Sequence, residues 1–71
     1  MDDRLEEIAT RLDAVAEELA ELAIDRLRSA VEQGDTDGAA QERRITRARR
    51  AVEKAAAVLH EASHDTSVRD V

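Results

Sequence analysis

The stretch Leu5-Glu6-Glu7-Ile8-Ala9-Thr10-Arg11-Leu12-Asp13-Ala14-Val15-Ala16-Glu17-Glu18-Leu19-Ala20-Glu21-Leu22-Ala23 decides the fold of this chain. Leu5, Ile8, Leu12, Val15, Leu19 and Leu22 step alternately by three and four residues, the spacing that places side chains on one side of an α-helix. With Leu5 at position a of a heptad, Leu12 and Leu19 also occupy a, and Ile8, Val15 and Leu22 occupy d. Position e is then Ala9, Ala16, Ala23 and Ala30. Residues this small let another helix backbone come close, so the pattern predicts an antiparallel, alanine-lined contact.

Towards the N terminus, Asp3 and Glu6 have the spacing of a capping box, and Asp2, Asp3, Glu6 and Glu7 favour the positive end of a helix dipole. A first helix over about 3–33 is predicted. Beyond Leu19 the heptad lapses, because Arg26 and Ser29 fall at a and d. The apolar residues instead run Ala20, Ile24, Leu27 and Val31, a stripe rotated from the first. Such a drift can follow the curved surface of a bundle. The preferred reading is that the two apolar sides meet different neighbours, one within the chain and one across an oligomer interface.

Gln33-Gly34-Asp35-Thr36-Asp37-Gly38 is the turn-rich segment, with Gly34 suited to close one helix and Asp35, Thr36 or Asp37 to cap the next. A turn at about 34–37 is short enough to force two helices antiparallel. The second helix, over about 37–63, carries Ile45, Ala48, Val52, Ala55, Leu59 and Ala62, widened by Ala51 and Val58. The hairpin so predicted occupies 1–64. From Asp65 to Val71 the period is lost, and a frayed or disordered tail is expected.

Composition bounds what such a hairpin can do alone. The chain has 71 residues, no aromatic residue, no Pro and no Cys, and nearly half of its 42% apolar share is alanine. Burying a Leu, Ile or Val side chain contributes roughly 1.5 to 3 kcal/mol, against about 1.5 kcal/mol of conformational entropy for each residue ordered. Chains of this size generally need a disulfide, a metal or a partner, and the lack of Cys removes disulfides and thiolate metal sites. Self-association, as a homodimer or a tetramer, is the expected remedy. With a net charge of −6, no apolar run near membrane-spanning length and Asp2-Asp3 straight after Met1, a cytoplasmic protein without membrane contact is expected.

Charge is unevenly spread. Residues 1–33 hold ten acids against four Arg, while Arg43, Arg44, Arg47, Arg49, Arg50 and Lys54 crowd the second helix. Folding about the turn should bring that basic segment beside Glu17, Glu18, Glu21 and Asp25, favouring the antiparallel register. Alternatively, Arg43, Arg47, Arg50 and Lys54 follow a helical row that could contact successive phosphates of a nucleic acid. In layout the chain resembles the plasmid regulators known as repressors of primer, antiparallel dimers of helical hairpins that bind paired RNA loops. The net negative charge and the absence of aromatics for base stacking weigh against that use.

Two short segments resemble enzyme signatures. His60-Glu61-Ala62-Ser63-His64 resembles the H-E-x-x-H helix of the zincin metalloproteases, which implies zinc held by His60 and His64 with Glu61 acting on a bound water. Here Asp65 and Thr66 follow where zincins usually continue with apolar residues, and a third histidine is missing, so surface histidines are expected. Arg11-Leu12-Asp13 with Arg26 faintly resembles the first helix of the all-helical chorismate mutases, but Ile45, Ala48, Val52 and Ala55 give the second helix no polar residues for a buried dicarboxylate. No nucleophile with a plausible base and no glycine-rich phosphate loop occurs. The sequence thus predicts an all-α hairpin that associates into a four-helix bundle and acts, without cofactor or catalysis, as a scaffold, adaptor or regulatory subunit. Ile24, Leu27 and Val31 mark a predicted interface; if the homo-oligomer uses that stripe, the site for another protein falls on the basic row of the second helix or on the tail.

Overall fold

A computed structural model of the chain describes residues 3–34 and 36–69. Two helices, α1 over Asp3–Gln33 and α2 over Thr36–Arg69, lie antiparallel against each other in a rod whose Cα extents are 58 × 14 × 10 Å. Asp2, Asp35 and the end of the expected tail, Asp70 and Val71, lie outside the described residues.

Glycines set the geometry of the reversal. Gly34 has φ +64°, the left-handed backbone that closes α1 and that a residue with a Cβ adopts only under strain. Gly38 does something different. It is buried in the first turns of α2, where an added Cβ would stand 2.9 Å from the carbonyl oxygen of Arg26 and 3.3 Å from the Ala30 Cβ. The start of α2 therefore rests directly on the backbone of α1.

The same closeness continues along the helices. Ala9, Ala16 and Ala23 of α1 and Ala56 of α2 are the buried apolar residues, and among the described residues no large side chain is fully buried. On α2 the seam passes through Glu42, Arg49, Ala56 and Ser63, spaced by seven and all buried or half-buried. Ala48 and Ala55 are exposed in the hairpin. The apolar stripe of α2 is centred on Ile45, Val52 and Leu59, and the line of closest approach to α1 falls at the edge of that stripe, not along its middle.

Two expectations need correction. Among the described residues, the arginines of α2 make no ion pair with Glu17, Glu18, Glu21 or Asp25; a pair that does join the helices is His60 with Asp13. An alanine seam holds the helices close, and only side chains beside it can reach across, whereas those four acids are exposed on α1 away from it. Helix α2 also continues to Arg69, past the end expected near residue 63. Asp65, Thr66, Ser67, Val68 and Arg69 contain no Gly or Pro to interrupt the backbone ladder once the apolar period has lapsed.

Candidate interaction surfaces

Three surfaces follow from the position of the alanine seam. Leu12 and Asp13 flank Ala9 and Ala16 from opposite sides, being three and four residues from Ala9. On the Leu12 side, Leu5, Leu12 and Leu19 are half-buried, and Ile8, Val15 and Leu22 beyond them are exposed, Val15 at 41%. Helix α2 meets this side with Ile45, Val52 and Leu59, also half-buried, followed by Ala48 and Ala55. The heptad residues of both helices therefore form one face, each sealed on one flank only. A shallow surface hollow lined by Val15, Glu18, Leu19, Glu21, Leu22 and Asp25 lies along its α1 edge.

The Asp13 side is mixed. Near the chain ends the Nε2 of His60 stands 3.0 Å from the Oδ2 of Asp13, with both side chains partly exposed. Towards the turn the groove between the helices is lined by Ala20, Ala23, Ile24, Leu27, Glu42, Thr46 and Arg49. Thr46 donates its hydroxyl to Glu42 Oε2 at 2.6 Å. The Arg49 stem lies in the seam, and its Nε is buried with no hydrogen-bond partner. In the sequence Arg49 is one of the cations that crowd the second helix. Its spacing of seven from Ala56 and Glu42 was the signal that it belongs to the seam.

Ile24, Leu27 and Val31 continue this second stripe outward, with Val31 78% exposed. They line a surface hollow with Arg28 and Glu32. The bend from one apolar side to the other occurs where Arg26 takes the heptad position of Leu19 and lies against Gly38.

The third surface is the outer side of α2. Arg43, Arg47, Arg50 and Lys54 are all exposed, and Arg43, Arg47 and Arg50 border one shallow hollow with Glu42 and Thr46. They are separated from the heptad face by the thickness of the helix.

His60 is committed to Asp13, and His64 lies one turn further along α2. Among the described residues, no three His, Cys, Asp or Glu side chains converge as metal ligands. Among the described residues, too, no helix is long and apolar enough to cross a membrane. Compared with protein-family models, curated proteins and solved structures, the chain matches none.

Proposed function

We propose that the chain is a small non-catalytic assembly module of the cytoplasm. Two hairpins join through the heptad face into an antiparallel four-helix bundle, and the bundle serves as a scaffold, adaptor or regulatory subunit for another protein. One observation carries this reading: among the described residues, the hairpin seals alanines and leaves every large apolar side chain partly in water. A buried methyl contributes about 0.8 kcal/mol, a fraction of what a fully covered Leu or Ile supplies. Covering Leu5, Ile8, Leu12, Val15, Leu19 and Leu22 together with Ile45, Val52 and Leu59 would give the chain the core it lacks alone. The stripe of Ile24, Leu27 and Val31 stands on the other side of the seam and is left to the partner protein.

Light scattering on the untagged chain over a dilution series tests it. A mass of two or four chains at micromolar concentration supports the reading, and a folded monomer at every concentration overturns it. The exposed row of Arg43, Arg47, Arg50 and Lys54 favours polyanion binding as a second reading. Association with RNA that weakens steeply with salt would support that use.

A further inference from the structure

The charges beside the heptad face carry information about how it is covered. Arg4, Arg11, Glu18 and Asp25 are spaced by seven and all exposed, and each lies three or four residues from Ile8, Val15 or Leu22. They form the outer border of the α1 half of the face, on the side away from α2. Two cations occupy the N-terminal half of this row and two anions the C-terminal half. Such a row is complementary to itself turned end for end.

We infer that a second copy of this chain packs its α1 antiparallel on this α1, about a two-fold axis through Val15. The inference rests on the self-associating reading above and specifies its geometry. Val15 then meets Val15 of the second copy, and Ile8 meets Leu22 in both directions. Arg11 comes opposite Glu18 of the second copy and Arg4 opposite Asp25, each pair occurring twice by symmetry. The same residues meeting in parallel would set Arg against Arg and acid against acid.

The other antiparallel solution, α1 of one copy beside α2 of the next, lacks this match. At the corresponding border α2 offers Arg44, Ala51, Val58 and Asp65, so that in the register pairing Asp25 with Arg44 and Arg4 with Asp65, the two central charges Glu18 and Arg11 would meet Ala51 and Val58 without a partner. In the proposed arrangement α2 lies beside α2 of the second copy through Ala48 and Ala55, which are exposed in the hairpin and small enough for a close approach. The surface is adequate in size. The chain exposes 5578 Å², about 1,200 Å² above the ~4,400 Å² of a compact globular chain of this mass, and a standard interface takes about 800 Å² from each partner.

The chain has no cysteine, so a single one reports on the axis. In the full chain, Val15→Cys should form a disulfide-linked dimer under mild oxidation. It should do so at least about tenfold faster than Glu17→Cys, because a thiol at the axis faces its twin at an effective concentration in the millimolar range or above. Glu18→Arg with Asp25→Arg makes the border wholly basic, and Arg4→Glu with Arg11→Glu makes it wholly acidic. Each double variant should weaken the dimer about tenfold or more in low salt. Mixing the two should give heterodimer well above the statistical half in a native mass spectrum. A wild-type dimer with slow Val15→Cys coupling and charge variants that associate normally would overturn this geometry and leave self-association standing. A wild-type chain that is monomeric throughout would overturn both.

Discussion

Arg49 and the alanines illustrate how residue size sets what this seam can hold. Ala56 is 1% exposed and Ala9 is fully covered, yet Arg49, on the same α2 row as Ala56, threads its stem into the seam with its Nε unsatisfied. A buried donor left without an acceptor costs about 1 to 3 kcal/mol, whereas an apolar side chain of similar length keeps the packing without that penalty. Arg49→Met should therefore raise the thermal midpoint by several degrees, at about 4–8 °C for each kcal/mol in a domain of this size. A lowered midpoint in differential scanning calorimetry would mean that the Nε finds an acceptor in the assembled protein. The alanines predict the opposite sign for enlargement. Ala16→Leu with Ala23→Leu inserts bulk where the helices are closest and should lower stability by about 1 to 3 kcal/mol for each site. Urea titration measures the loss, and unchanged stability with a native oligomer would argue against close alanine-lined contact.

At the scale of the elements, the hairpin was legible because the signals that made it are local. Three-and-four spacing from Leu5 to Leu22, a glycine at 34 and a short polar turn suffice to place two helices antiparallel. The face of closest approach was harder to read on α2. Its period of Ile45, Ala48, Val52 and Ala55 marks what is apolar, and an apolar stripe wider than one neighbour does not say which edge that neighbour takes. Ala56, Gly38 and Arg49 are recognised only once the seam of α1 is laid on them. Gly38 yields a sharp test. Alanine favours a helix over glycine by roughly 0.5–1 kcal/mol, but at this position its Cβ would press on the Arg26 carbonyl oxygen at 2.9 Å. Backbone cannot yield as a side-chain tip can, so Gly38→Ala should destabilise despite its higher propensity. Gly34→Ala should also destabilise, for the separate reason of its positive φ, with nothing within 4 Å to clash. Combining the two should be close to additive in urea titrations, since one acts through a contact and the other through local strain.

For the whole molecule, shape turns the packing into a dependence on concentration. The radius of gyration is 16.4 Å, against about 11 Å for a compact chain of this length, so the hairpin is a rod with a long perimeter and no interior of its own. If the second copy supplies that interior, folding and association are one equilibrium, and each tenfold dilution removes about 1.4 kcal/mol of apparent stability. For a dimer of roughly 140 residues, a kcal/mol moves the midpoint by about 2–4 °C, so tenfold dilution should lower it by about 3–6 °C. Circular dichroism at 222 nm, followed from about 100 to 1 μM, reads this directly, since these helices supply the whole signal. A midpoint that stays fixed over two decades would mean that the alanine seam alone holds the hairpin. The exposed Ile8, Val15 and Leu22 would then be a surface for a different protein, and the complementary charges on either side of Val15 would have no bearing on how this chain assembles.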